Sequence, residues 1–240
     1  MIFRDITPVT GGANGVDTFT LTVSTNNTNR WIIVAVHNSN SSVTNTTPSS
    51  THLTFAQVGS TQADGTNGSL QLWAAFASIQ LSSEVITVSA TPTGNGPVMS
   101  GIVAAYVNCN VASATDVTAG SKSSGANGLS QIITTLTDND FCIAACGLTQ
   151  SVAFVAGSKQ TFAGTFSEGA FSSVGLLEQN LLTGSPNAVT MSYTLTGSPS
   201  DPVQIIAMGL KPSRPSFYSP GNLINNSGIR PHAFSPGLAR

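Results

Sequence analysis

Residues 16–24 (VDTFTLTVS) alternate, with Asp17, Phe19, Leu21 and Val23 on one face and Val16 and hydroxyl side chains on the other. A period of two marks a strand with one face in a core and one in water. Residues 30–37 (RWIIVAVH) are apolar on both faces, as in a strand covered from both sides. Further strand-like segments follow at 52–59, 69–78, 84–90 and 99–107. Between them lie a polar loop at 39–50, the hairpin signals Asp64-Gly65 and Asn67-Gly68, and the turn Gly94-Asn95-Gly96-Pro97.

The order then repeats. Residues 129–137 (LSQIITTLT) match the first strand, and Asp138-Asn139-Asp140 stands where Asn27-Thr28-Asn29 stood. Residues 141–147 (FCIAACG) match the doubly apolar strand, and 162–166, 171–177, 188–195 and 203–210 complete the set. Trp31 corresponds to Phe141, 110 positions on, while Val88 corresponds to Met191 and Val103 to Ile206, each 103 on. Differing loop lengths account for the two spacings.

This pattern predicts an all-β fold: an antiparallel, jelly-roll-like β-sandwich built from two duplicated halves. It divides the chain into an N-terminal arm (1–15), a first β half (16–110), a linker (111–128), a second β half (129–211) and an extended basic, proline-rich tail (212–240). A half with so few aromatics makes a thin core alone. One body with the halves packed sheet against sheet is therefore favoured over two separate sandwiches. The expected core is Trp31, Ile33, Phe55, Leu72, Val88, Val103, Ile143 and Ile206.

Charge sharpens the picture. Only 8% of the 240 residues are charged, against about 25% in an average soluble protein. Ser, Thr, Asn and Gly take their place, which suits short strands and tight turns and suits helices badly. A net charge of −2 gives no field to attract nucleic acid or an anionic membrane. The longest apolar runs are strand-length, too short for a membrane-spanning helix. Cys142 and Cys146, four apart on one strand, lie about 13 Å from each other and cannot bridge; with Cys109 they read as buried thiols. The N-terminal segment shows no secretory pattern, whereas the surface composition suits an extracellular setting. A virion component made in a host cytoplasm satisfies both expectations; an extracellular or cell-surface protein is the alternative.

The segments 31–36, 53–60 (LTFAQVGS), 67–73 (NGSLQLW) and 102–107 carry a resemblance. In this order they resemble β-sandwich domains of phage virion structural proteins, of the decoration, head-fibre or tail type, and of related bacterial surface proteins. The resemblance spans roughly residues 16–211. It implies a fold and a setting, and it transfers no catalytic residue.

From Lys211 onward proline is frequent, acidic residues are absent, and half of the chain's eight Lys and Arg are concentrated (Lys211, Arg214, Arg230, Arg240). A motif occurs twice, 16 residues apart: Arg214-Pro215-Ser216-Phe217-Tyr218-Ser219-Pro220-Gly221 and Arg230-Pro231-His232-Ala233-Phe234-Ser235-Pro236-Gly237. Proline presets the backbone and lowers the entropy lost on docking. Arg214, Phe217, Tyr218, Arg230, Phe234 and Arg240 are the expected partner-docking residues. Their expected partners are other virion proteins or further copies of the chain as a homo-oligomer; nucleic acid and membrane are not expected, and a glycan is the alternative ligand.

No catalytic constellation, cofactor motif or metal-spaced set is visible. His37, His52 and His232 lie far apart, without carboxylates beside them in sequence. Asp138 and Asp140 read as turn residues rather than calcium ligands, and Glu84, Glu168 and Glu178 sit in separate segments. The expectation is a non-enzymatic structural protein with no catalytic residue, cofactor or metal. The alternative is a secreted or surface glycan-binding module, with Trp31 or Trp73 stacking on sugar rings.

Overall fold

A strand that is apolar on both faces needs cover on both sides, and two such strands, one in each half, set the layering of this protein. The computed structural model describes residues 1–40, 44–45, 47–63, 68–91, 97–123, 127–179, 187–197 and 200–213. All regular structure among them is strand. The first half comprises β1 (Phe3–Arg4), β2 (Val9–Asn14), β3 (Thr18–Val23), β4 (Arg30–Asn38), β5 (Thr44–Asn45), β6 (Ala56–Gln57), β7 (Gln62–Ala63), β8 (Ser69–Ala77), β9 (Glu84–Thr91) and β10 (Val98–Val107). The second comprises β11 (Thr115–Ser123), β12 (Gly128–Thr134), β13 (Phe141–Leu148), β14 (Phe154–Ala156), β15 (Gln160–Glu168), β16 (Ser172–Gln179), β17 (Ala188–Leu195) and β18 (Val203–Leu210).

Each half forms one inner and one outer sheet, with the same strand order in both. The inner sheets run β2-β10-β4-β8-β6 and β11-β18-β13-β16-β15; β1 also pairs with β10, and β7 with β8. The outer sheets run β3-β9-β5 and β12-β17-β14. All pairings are antiparallel. The inner sheets stack face to face, β2 over β15 and β7 over β11. That exchange of equivalent strands is what an internal two-fold relation requires. The result is a sandwich of four sheets enclosing three cores.

The alternation of side chains assigns each residue to its core. From β4, Ile33 and Ala35 enter the central core while Ile32, Val34 and Val36 enter the first outer core. From β13, Ile143 and Ala145 are central, whereas Cys142, Ala144 and Cys146 face the second outer core. Seven of the eight expected core residues are buried; Trp31 is half-buried, its ring against Phe76 at 5.5 Å and its indole N–H donated to the Asn110 carbonyl at 2.8 Å. The three cysteines are buried free thiols.

Several sequence-based expectations are corrected. Residues 1–15 contribute β1 and β2, both paired with β10, so they belong to the first half rather than forming an arm. The 111–128 linker contains β11, the edge strand of the second inner sheet, along its whole length on β18. Both segments are rich in Gly, Thr, Ser and Ala, which read as loop. An edge strand needs a partner for one side of its backbone only, and these side chains allow that. The match of Val103 to Ile206 is off by one: Val103 faces the first outer core and Ile206 the central one. Ile102 and Ile206 are the true pair, opposite Ala35 and Ala145. A one-residue slip moves a strand residue to the other face. The turns shift likewise, since Asn29 and Asn139, at φ 58° and 62°, are the equivalents, as Asn tolerates this left-handed region.

Candidate functional site

The tail begins at a fixed point. Asn110 N–H donates to the Lys211 carbonyl at 2.9 Å, Lys211 N–H to Ala114 at 2.6 Å, and Ser213 N–H to Asn108 at 2.7 Å. Cys109 and Pro212 form a β-bridge. The Asn108 side-chain amide donates to the Met1 carbonyl at 2.9 Å. The first residue, the connection between the halves and the base of the tail therefore meet at one end of the body.

Beneath the root lies a group of ionisable side chains from three elements. The Asp116 carboxylate on β11 accepts the N–H groups of Leu136 and Thr137 (3.2 Å for the latter), in the turn before β13. Its Oδ1 lies 3.5 Å from the Lys211 ammonium. Asp140, fully buried, takes a 2.5 Å hydrogen bond from the Thr137 hydroxyl and shares a hydrogen bond with Asp116. Burial, followed by that hydrogen bond to Asp116, pushes the Asp140 pKa up to about 7. Asp116 moves the other way: burial opposes its charge, but the bond from Asp140, the two amides and Lys211 outweigh it. Below about pH 7 the two carboxyls thus hold a proton between them, resting mainly on Asp140. Cys142 nearby is raised to about 12, by burial first and then by the two acids.

The first half carries a counterpart, and the comparison identifies what is new. Asp5 accepts the N–H of Asn26 at 3.0 Å, in the equivalent turn. Thr25 and Thr135, 110 positions apart, are both buried there, and their N–H groups pair with Leu81 and Asn187. The Asp5 charge is met by the Arg30 guanidinium at 2.9 Å, with side chains 6% and 11% exposed. Arg30 and Asp140 are also 110 positions apart. Where the first half has an ion pair, the second has two acids and a lysine supplied from the tail's base.

Other polar groups complete the inventory. In the central core His37 Nδ1 bonds the Ser172 hydroxyl at 2.9 Å, and Ser172 bonds Ser100 at 2.8 Å; all three are fully buried. The residue equivalent to His37 is Gly147, where a Cβ would stand 2.7 Å from the His37 ring. The imidazole thus occupies the space its counterpart vacates. At the other end Glu178 accepts from Tyr106 at 2.8 Å and from Arg4 at 2.7 Å. On the first outer sheet, the buried Glu84 accepts from the Ser50 hydroxyl, from His52 N–H at 2.9 Å and from His52 Nδ1 at 2.7 Å. Burial works against the Glu84 charge, but the Ser50 and His52 hydrogen bonds outweigh it and bring its pKa down to about 2. The carboxylate ties the two loop residues to each other, with the serine bonded to the acid rather than to the imidazole. That is not the order of a nucleophile–base–acid relay.

The expected docking residues Arg214, Phe217, Tyr218, Arg230, Phe234 and Arg240 all lie outside the described residues, as does His232. Trp73, a candidate for sugar stacking, is buried in the first outer core. Among the described residues no three His, Cys, Asp or Glu side chains converge as a metal site. Sequence reasoning took His52 to lack a carboxylate and Asp140 to be a turn residue; the fold brings Glu84 to the one and Asp116 to the other. Aligning the halves at 110 residues would have set Arg30 against Asp140 and exposed the substitution. No protein-family model, curated protein or solved structure matches this chain.

Proposed function

We propose that this chain is a structural component of a virion, of the capsid-decoration, head-fibre or tail kind, that attaches through its C-terminal tail. One observation carries the reading: residues 211–213 are pinned by backbone hydrogen bonds to the connection between the halves. A doubled Arg-Pro-x-x-aromatic-Ser-Pro-Gly sequence follows directly from this rigid root. A body that holds residues 211–213 at a defined point fixes where the tail starts. Aromatic and arginine side chains are the types that dominate docking energy, and arginine forks suit carboxylates on a protein surface. Four positive charges over 30 residues make a sparse footprint for nucleic acid. The exposed outer-sheet positions Thr18, Thr20 and Thr22 on β3, with Thr190 and Thr194 on β17, are uncharged hydroxyls, suited to a body packed among many copies.

The experiment is to fractionate lysates of cells producing the native protein and probe the particle-sized fractions. Co-sedimentation with capsid or tail proteins supports the proposal. A protein found only as a free monomer, shifting on a glycan array, would replace it with the glycan-binding alternative.

A further inference from the structure

The first half solves the burial of Asp5 with a guanidinium, an arrangement that is chemically inert. The second half places three different reactive groups together. Asp116 has a side chain only 1% exposed, and its carboxyl lies 3.5 Å from the Lys211 amine. A second carboxyl, Asp140, is fully buried and hydrogen-bonded to the first, and below about pH 7 it carries the proton of the pair. An ion pair alone would need only Lys211 and Asp116. Asp140 adds a hydrogen-bond donor beside the carboxyl that faces the amine, which a simple ion pair does not require.

We propose that Lys211 and Asp116 condense into an intramolecular amide, with Asp140 as the catalytic acid–base. The Lys211 ammonium, its side chain 31% exposed, first passes a proton to the Asp116 carboxylate across the 3.5 Å contact, which leaves both groups neutral. The neutral amine then attacks Cγ of Asp116, forming the C–N bond, while the Asp140 O–H donates to the developing oxyanion. Asp140 next gives its proton to the departing hydroxyl and takes one from the nitrogen. The C–O bond breaks and one water leaves. Asp140 ends as it began, so the sum is ammonium plus carboxylate giving amide plus water, with no oxidant, metal or cofactor. Holding amine and acid in contact replaces a bimolecular step by an effectively unimolecular one, the source of very high effective concentrations. Burial of the acids limits the water that would drive the reverse reaction.

The bond would join β11, the first strand of the second half, to the residue that follows β18, its last. It would sit under the hydrogen bonds that fix the tail, so a pull on the tail would meet a covalent tie before reaching the sheet. The assignment goes beyond the virion proposal and does not depend on it, since the bond is read in the isolated chain.

The test is the intact mass of the folded full chain, followed by fragmentation of its proteolytic peptides. The expected mass is one water below that of the sequence, with the link mapped between Lys211 and Asp116. Lys211→Arg keeps the cation and the ion pair but should return the full sequence mass. Asp140→Asn should leave a folded body, checked by circular dichroism, with the link lost or formed far more slowly. A folded wild-type chain at its full sequence mass overturns the proposal. So does a water loss that persists in Lys211→Arg or maps elsewhere, for example to a succinimide at Asp64-Gly65.

Discussion

Asp5 and Asp116 do the same structural work in the two halves, each receiving the backbone N–H of the turn that leads into the doubly apolar strand. They differ in what neutralises them: Arg30 at the start of β4 in one case, a proton on Asp140 and a lysine from the tail's base in the other. The framework is held in common by strand order, buried threonine and left-handed asparagine, while the charge arrangement has diverged. The same contrast recurs at His37 against Gly147, where one half fills the central core and the other gives way. These two differences lie where the halves meet and where the tail is rooted.

The largest effect expected from breaking this comparison is at Arg30. Both partners of Asp5–Arg30 are buried, and removing one partner of such a pair leaves an uncompensated charge costing about 3–5 kcal/mol. Arg30→Ala should therefore lower unfolding free energy in a denaturant melt by that order. A loss under 1 kcal/mol would show that solvent compensates Asp5.

Next is the pairing of His37 with Gly147. A methyl at Gly147 would stand 2.7 Å from the His37 Cδ2, and overpacking of this kind costs about 1–3 kcal/mol. His37→Ala should recover stability in the Gly147→Ala background, although it is destabilising alone. A double-mutant cycle with zero coupling would contradict the contact.

A smaller effect separates the two acidic sites by pH. Asp140 rises from its ordinary 3.8 to about 7 in the folded protein, so the native state binds this proton more tightly than the unfolded chain. Its stabilising contribution is complete below about pH 4 and is lost as pH rises to about 7. Glu84 falls from 4.5 to about 2, so its contribution is present above pH 4.5 and is lost as pH falls towards 2. Stability profiles measured in the Lys211→Arg chain should flatten between pH 4 and 7 on adding Asp140→Asn, and between pH 4.5 and 2 on adding Glu84→Gln. Identical profiles would mean that neither carboxyl is placed as described.

Much of the fold was legible in the residues. The period-two run at Thr18–Val23 and the doubly apolar runs at Arg30–Asn38 and Phe141–Leu148 give strands of the right kind, because alternation reports one covered face and its loss reports two. The 110-residue offset of Trp31 and Phe141 gave the duplication. β2 and β11 were not legible, since VTGGAN and TDVTAGSKS have little apolar pattern and owe their conformation to pairing with β10 and β18. The four-sheet layering was hidden for a related reason: an apolar run states that a strand is covered, not by which sheet. The acidic site was hidden by distance in the chain. Asp116, Asp140 and Lys211 stand on three elements, and each alone has an ordinary surface or turn reading. The tail motif, by contrast, was plain in the sequence, because its repetition is local.

The central claim, that the body is a platform and the tail its means of attachment, is tested most directly by comparing the full chain with a chain ending at Ser213. Both would be mixed with the particle fraction from producing cells and sedimented, with circular dichroism and a thermal melt run on each. The account predicts that the shortened chain keeps the β spectrum and melting temperature of the full chain and stays in the supernatant, while the full chain pellets. Equal pelleting of the two folded proteins would contradict it.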